Sequence, residues 1–276
     1  MNMRLPPTSV AAPRCLGARH GGPPGDGGGN RLLAAMPCAE AARLAAALEP
    51  LRLEPGAVLY ERGERVEHVI FPDSGAVSLL TDAGSGRRAE IALIGREGLL
   101  GLSALLGGRR APFQAVVPVG GEARRLPVGL LRSLLHRSFA VRDLLLRYTA
   151  LCLAQAANGA ACNALHPLRA RAARRLLEIQ DRTGPGFMLT QDVLADMLGA
   201  RRPTVNAVLQ ELKAEGVIAT ARGRIAITGT AALEAAACDC RQRLREVVAE
   251  ILAGDGHGIG AAGEEAASHG GEGRGG

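Results

Sequence analysis

Along residues 50–128 apolar residues come in short runs, each closed by a cluster of turn-forming residues. Glu54-Pro55-Gly56 leads into Val58-Leu59-Tyr60, and Arg62-Gly63-Glu64 stands before His68-Val69-Ile70-Phe71. Pro72-Asp73-Ser74-Gly75 then precedes Val77-Ser78-Leu79-Leu80, and the stretch from Asp82 to Gly86 reads as a hairpin loop ahead of Ala89 to Ile94. Ala115-Val116-Val117 and Glu122 to Leu126 complete the set, after a Gly-rich stretch between 95 and 108. Glycine supplies positive φ and proline presets a bent φ, so these clusters reverse the chain between strands. Short strands at this spacing predict an antiparallel roll or barrel.

From Val128 to Asp181 the period changes to that of a helix. Val141, Leu144, Tyr148, Leu151, Gln155, Asn158, Cys162 and Leu165 form one stripe, spaced like the seam of a coiled coil. Leu145 and Leu153 supply a second apolar face. One face can then meet the roll and the other a partner helix, so the seam predicts homodimerisation through 139–165. Polar Gln155 and Asn158 in the seam would weaken pairing while fixing register. A helix packed only on the roll is the alternative, and it needs one apolar face.

Residues 187–228 carry the sharpest pattern. Thr190 is placed to cap a short helix whose buried face is Val193, Leu194, Met197 and Leu198. Gly199 ends that helix, because a left-handed terminal position costs glycine little. Pro203 then falls in the first turn of a second helix, where no N–H donor is needed. Val205, Val208, Leu209 and Leu212 are its buried positions, and Arg202, Asn206, Ala207 and Gln210 its outer face. Val217-Ile218-Ala219 and Ile225-Ala226-Ile227 flank the Arg222-Gly223-Arg224 turn as a wing. This is a winged helix-turn-helix with cations where a DNA backbone would lie.

Composition narrows the picture. The chain has 276 residues, 47% hydrophobic but only 2% aromatic, with no Trp. Its cores must be aliphatic, and the scarcity of aromatics argues against stacking platforms for single-stranded nucleic acid. The net charge of +6 favours a polyanion, and Arg201, Arg202, Lys213, Arg222 and Arg224 concentrate charge on or beside the motif. No apolar run is long enough to span a membrane and no signal-peptide pattern opens the chain, so the cytoplasm is the expected compartment. The Gly/Pro-rich residues 1–30 and the tail from about Gly254 are expected to be disordered. Cys15, Cys38, Cys152, Cys162, Cys238 and Cys240 show no CxxC pair, zinc-finger spacing or iron–sulfur spacing. They read mostly as plain thiols, and His68 and His166 as structural. No metal site, cofactor or catalytic residue is expected, since no phosphate loop, metal box or nucleophile elbow is present.

Thr190 to Gly199, followed by Arg201-Arg202-Pro203-Thr204-Val205, resembles the DNA-binding motif of Crp/Fnr transcription regulators. Glu54-Pro55-Gly56, Phe71-Pro72-Asp73-Ser74-Gly75 and Gly95-Arg96-Glu97-Gly98 are similar to turns of that family's roll. Ala161 to Pro167, and Leu233 to Cys240, resemble a subgroup without an assigned effector. The resemblance covers about residues 35–245, in order. It implies an α+β chain: an antiparallel, jelly-roll-like β-roll of the cyclic-nucleotide-binding fold, a long dimerisation helix and a C-terminal winged helix-turn-helix. The corresponding division is 1–30 disordered, 31–138 roll, 139–165 dimer helix, 166–245 DNA-binding domain, and 246–276 helix end and disordered tail.

By the same resemblance Arg202 stands at the position that reads guanine, and Thr190 and Thr204 at phosphate-contacting positions. Gln191, Arg201, Asn206, Gln210, Arg222 and Arg224 complete the expected contact set for double-stranded DNA. Two further reading positions of the family hold Pro203 and Ala207, so the family's usual half-site is not expected. In nucleotide-binding members a Gly-Glu pair holds the ribose and an Arg-Ser pair the cyclic phosphate. Here Gly98 is followed by Leu99, and Ala111-Pro112 stand where Arg-Ser should be. The candidate effector pocket is therefore Gly98, Leu99, Arg109 and Arg110, with cAMP and cGMP not expected and the effector unknown. RNA polymerase is a further partner if the protein activates. The competing reading is a ligand sensor whose winged helix contacts protein; such an interface would lean on aromatic anchors.

Overall fold

The computed structural model describes residues 29–82, 84 and 88–253. The segments expected to be disordered lie almost wholly outside these residues, as does most of the loop after Asp82. Two short helices, α1 (Arg31–Ala34) and α2 (Cys38–Ala45), lead into seven roll strands. These are β1 (Glu49–Leu53), β2 (Val58–Tyr60), β3 (His68–Pro72), β4 (Ala76–Asp82), β5 (Arg88–Ile94), β6 (Gln114–Val119) and β7 (Gly121–Pro127). A one-turn helix, α3 (Leu102–Leu105), interrupts the β5–β6 connection. All pairings are antiparallel, in two sheets ordered β1-β7-β3 and β2-β6-β4-β5. Strand β1 was not expected, because Pro50 breaks its apolar pattern; it is tolerated because β1 is an edge strand.

Phe71, Val69, Leu99, Leu126 and Val117, all fully buried, fill the roll. One end is closed by backbone contact: a Cβ on Gly75, itself at φ 74°, would meet the Gly120 carbonyl oxygen at 2.7 Å. Only glycine fits there. Asn30, 1% exposed, caps α1 through Leu33 N–H and donates its side-chain amide to the Pro72 and Gly98 carbonyls. That buried amide holds the leading helix on the roll.

After α4 (Val128–Arg137) comes α5 (Phe139–Leu165), 27 residues or about 40 Å long. Ser138 caps it. Here the expected seam is turned around. Val141, Leu144, Tyr148 and Leu151 are at most 3% exposed and pack on the chain's own roll. Gln155 donates to the Leu93 carbonyl and Asn158 to the Cys240 carbonyl. Apart from Leu165, which is exposed, the seam thus serves the chain itself. The outward face carries Leu146, Ala150, Leu153, Ala157, Ala160 and Ala164, all exposed, at alternating steps of four and three. Periodicity defines a stripe but not the surface that covers it, and alanines on the second stripe masked its apolar character.

The remaining elements are α6 (Leu168–Thr183), β8 (Gly186–Met188), α7 (Gln191–Leu198), α8 (Arg202–Ala214), β9 (Ile218–Ala221), β10 (Arg224–Ile227), α9 (Thr230–Ala236) and α10 (Cys240–Ala253). They form a winged helix whose sheet, β8-β10-β9, has one strand more than the sequence pattern suggested. Its core of Leu176, Leu194, Val205, Leu212 and Leu233 continues into Ala76, Leu93 and Val119 of the roll. Helix α10 returns along α5, and Leu244 joins the roll core. No described helix is long and apolar enough to cross a membrane.

Charged side chains are buried where α6 meets β5. Glu90, with its side chain fully enclosed, pairs with Arg175 at 2.5 Å and accepts from Ser78 Oγ at 2.6 Å. Arg175 also pairs with Glu178, which binds Arg174 as well, each at 2.6 Å. Burial pushes the Glu90 carboxyl above its ordinary range, against the pull of Arg175 and the Ser78 hydrogen bond. At Glu178 burial acts upward too, but Arg175, Arg174 and Arg182 prevail and hold it below that range. Removing one partner leaves the other charge enclosed and uncompensated. Arg175→Ala is therefore expected to cost about 3–5 kcal/mol in denaturant unfolding, and to expose the α6–β5 junction to limited proteolysis. Glu90→Leu combined with Arg175→Met should recover most of that loss, because an apolar pair replaces a buried ion pair at little cost.

Candidate nucleic-acid interface

The helix-turn-helix forms from local signals. Thr190 Oγ1 accepts the Val193 N–H at 3.3 Å, capping α7. Gly199 takes the left-handed conformation, φ 59°, that ends it. Arg201 caps α8 by backbone alone, with Pro203 in the first turn. Val205, Val208, Leu209 and Leu212 turn inward, leaving Arg201, Arg202, Pro203, Thr204, Ala207 and Gln210 exposed. The wing turns through Arg222 at φ 46° and Gly223 at φ 77°, the two consecutive positive values of a two-residue hairpin.

The expected contact residues lie on α7, α8 and the wing, with different degrees of freedom. Arg201, Thr204, Arg222 and Arg224 have exposed side chains without a side-chain hydrogen bond or ion pair among the described residues. Arg202 lies 3.3 Å from Asp192, but both are more than 60% exposed, so that pair holds the guanidinium only weakly. Asn206 is half-buried, and its Oδ1 accepts from Gln191 at 2.9 Å and from Gln210 at 3.4 Å. The three amides form a cross-link between α7 and α8 that no spacing rule displays. Asp196 of α7 is paired with Arg88 of β5, and so faces the roll.

The four residues of the expected effector pocket are not brought together. Leu99 is fully buried, its N–H and carbonyl both bonded to the Tyr148 hydroxyl, at 3.0 and 2.9 Å. Burial above all keeps that hydroxyl well above its ordinary pKa, so it remains a neutral donor. Gly98 lies so close that a Cβ would stand 2.4 Å from the same oxygen. Helix α5 thus closes directly on this loop. Arg109 instead lines a cavity of about 370 Å³ with Arg65 and Arg132, while Arg110 donates outward to the Gly63 carbonyl at 2.8 Å. Another cavity, about 340 Å³, opens between α6, α10 and the roll, and Arg31, Arg96, Arg182, Arg241 and Arg245 line it together with Glu97 and Asp181. It was not legible in the sequence because its arginines come from four separate segments.

One more group of residues converges at the α5–α6 corner. Cys162, His166, Cys238 and Cys240 place their sulfurs and a ring nitrogen within 4.8 Å of one another. The sequence showed Cys238-x-Cys240 and an isolated His166, with nothing to join them. Cys152, by contrast, stands apart as a half-buried thiol pushed up to about 11 by burial.

Residues 50–138 match the cyclic nucleotide-binding domain, and residues 170–236 match the Crp-like helix-turn-helix domain. FixK2 from Bradyrhizobium japonicum is 20% identical and superposes with a TM-score of 0.60 over 69% of this chain and 98% of its own. A CRP-family transcriptional regulator from Thermus thermophilus is 24% identical, with a TM-score of 0.57 over 68% of this chain and 96% of its own. The c-di-GMP-responsive global regulator CLP of Xanthomonas campestris is 18% identical, with a TM-score of 0.57 over 70% of this chain and all of its own. At these identities the structures establish the fold. No curated protein sequence matches. Since the cyclic nucleotide-binding domain and the Crp-like helix-turn-helix stand in this order on the two ends of one long helix, the chain belongs to the Crp/Fnr family of transcription regulators.

Proposed function

We propose that the protein is a homodimeric, sequence-specific regulator that acts on double-stranded DNA in the cytoplasm, with a roll that has lost its cyclic-nucleotide clamp and responds to another effector. The observation that carries this reading is the exposed face of α8 and the wing, where Arg201, Arg202, Arg222 and Arg224 stand outward around a capped helix-turn-helix. Protein contact is disfavoured because that face presents no aromatic anchor. RNA polymerase becomes a partner where the protein activates.

The outer stripe of α5 supports dimerisation. A helix apolar on both sides leaves half its apolar surface wet in a single chain. The stripe of Leu146, Ala150, Leu153, Ala157, Ala160 and Ala164 has the seam spacing, and its small residues allow two helices to approach closely. Leu153, 69% exposed, is the position to test. Leu153→Lys is expected to yield a folded monomer in sedimentation, with unchanged circular dichroism. Leu151→Lys, at a site 3% exposed within the chain, is expected to unfold it instead. A wild-type monomer at micromolar concentration would refute the dimer.

Two α8 helices related by a two-fold axis would enter successive major grooves about 34 Å apart, on a pseudo-palindromic operator. Arg202 stands at the start of α8, where a guanidinium can bond guanine O6 and N7 together. Arg202→Ala is expected to cost about 1–3 kcal/mol per half-site and to relax preference at one base position. Arg222→Ala and Arg224→Ala are expected to weaken binding to all sequences alike and to flatten its salt dependence. Binding-site selection, repeated at several salt concentrations, measures both. Retention of wild-type affinity and preference by Arg202→Ala would overturn the assignment, and absence of any symmetric motif would overturn DNA reading itself.

Leu99, Ala111 and Pro112 offer neither a ribose-binding carboxylate nor a phosphate-binding cation, and Tyr148 already occupies the Leu99 backbone. Calorimetric titration with cAMP and cGMP is therefore expected to show no tight binding. A dissociation constant near micromolar, about −8 kcal/mol, would contradict this and would direct attention to Arg109.

A further inference from the structure

The corner between α5 and α6 gathers four donor groups from segments far apart in the chain. Cys162 and His166 are one helical turn apart at the end of α5, where the His166 N–H bonds the Cys162 carbonyl at 3.1 Å. His166 then leaves the helix with extended backbone, and Pro167 caps α6. From the other side, α9 ends at an extended Ala237, and Cys238-Asp239-Cys240 leads into the first turn of α10. Asn158 holds this second segment against α5 by donating to the Cys240 carbonyl at 3.0 Å. Cys162 and Cys240 are buried, while His166 and Cys238 are half-buried.

The distances distinguish among the possible uses of such a group. Cys162 Sγ and Cys238 Sγ are 3.5 Å apart, far beyond the roughly 2.05 Å of a disulfide. Cys240 Sγ and His166 Nδ1 are 3.6 Å apart. A tetrahedral zinc ion with bonds of about 2.3 Å to sulfur and about 2.0–2.1 Å to nitrogen has edges of roughly 3.8 Å between sulfurs and 3.6 Å between sulfur and nitrogen. The observed separations are close to those edges, and no donor pair exceeds 4.8 Å. Three cysteines packed merely as small apolar residues would have no need of an imidazole in their midst. Three thiols and one imidazole are a closed donor set for a structural zinc site.

The surroundings suit the charge of such a centre. Binding a divalent ion would release three thiol protons to solvent and leave one net negative charge on the three thiolates, the neutral imidazole and the ion. Arg174 lies close enough to interact electrostatically with Cys162 and Cys238. Its Nε is buried with no hydrogen-bond partner among the described residues. The N-terminal end of α10, beginning at Cys240, adds partial positive charge. We propose that Cys162, His166, Cys238 and Cys240 bind a single zinc ion, which ties the end of the long α5 helix to the α9–α10 turn and so sets the angle of the winged helix.

The test is metal analysis of the full-length protein purified under reducing conditions. About one zinc per chain is expected to survive dialysis against a mild chelator. Cys162→Ser and Cys240→Ser should lose it. Exchange with Co²⁺ should give the intense visible bands of a tetrahedral ion and sulfur-to-cobalt charge transfer in the near ultraviolet. His166→Cys should keep the stoichiometry and move the visible bands to lower energy as a fourth thiolate replaces nitrogen. That shift does not depend on how the serine variants fold. A protein without retained zinc that gives only a weak octahedral cobalt spectrum would overturn the proposal, as would a Cys162–Cys238 disulfide found by mass spectrometry. Affinity for the selected operator, measured on the same preparations, separates this inference from the DNA reading. Zinc without DNA binding would sink only the latter, and DNA binding without zinc only the former.

Discussion

The enclosed ion cluster of Glu90, Arg175, Glu178 and Arg174 governs how the two halves of this protein meet. Charges removed from water are costly unless each finds a partner at short range, so the cluster tolerates few arrangements. An apolar contact between Leu93 and the winged-helix core could slide; a carboxylate held by both Ser78 and Arg175 cannot slide without losing a bond. The ion pairs of Arg182 with Glu97 and of Arg88 with Asp196 extend the same seam in both directions. Seated in this way, the domain turns α7 toward β5 and leaves α8 and the wing facing solvent. The placement of the exposed α8 and wing surface therefore depends on a polar contact well away from it.

Helix α5 is the element through which a signal from the roll could travel. Its inner stripe is committed to the roll, to Leu93 and to α10, and its outer stripe is available to a second chain. Tyr148 marks the junction, since one hydroxyl satisfies both backbone groups of Leu99 in the loop after β5. The corner at His166 and Pro167 converts the direction of α5 into that of α6 and hence of the winged helix. Cys162 and Cys240 are buried at that same corner, and α10 runs from it back to the roll. The corner is thus braced on two sides.

How much could be read without coordinates depended on how local each feature is. Caps, breakers and turn residues act over a few positions, so Thr190, Gly199, Pro203 and the Arg222-Gly223 turn located the helix-turn-helix and wing closely. Six of the seven roll strands were legible for the same reason, and β1 was hidden by Pro50, whose missing donor is harmless only at a sheet edge. The stripe on α5 was legible as a stripe, but its occupant was not. A 3.6-residue period states which side chains share a face, and only the packed chain shows that the roll and α10 had already claimed Tyr148, Leu151 and Asn158.

Features joining distant segments escaped altogether. The Asn206–Gln191–Gln210 cross-link, the five-arginine cleft and the Cys162–His166–Cys238–Cys240 group each unite residues from different elements, and no spacing along the chain encodes their separation in space. The expected effector pocket failed in the opposite way: Gly98-Leu99 and Arg109-Arg110 flank one short stretch of sequence, yet the fold turns Leu99 into the core and Arg110 out to solvent. By itself the sequence determined most of the elements, their order and which side of α8 is buried, because each follows from short-range backbone preference and apolar periodicity. The tertiary structure alone decided which faces meet, which charges are enclosed and which donors converge, because those depend on burial and on distances that the folded chain creates.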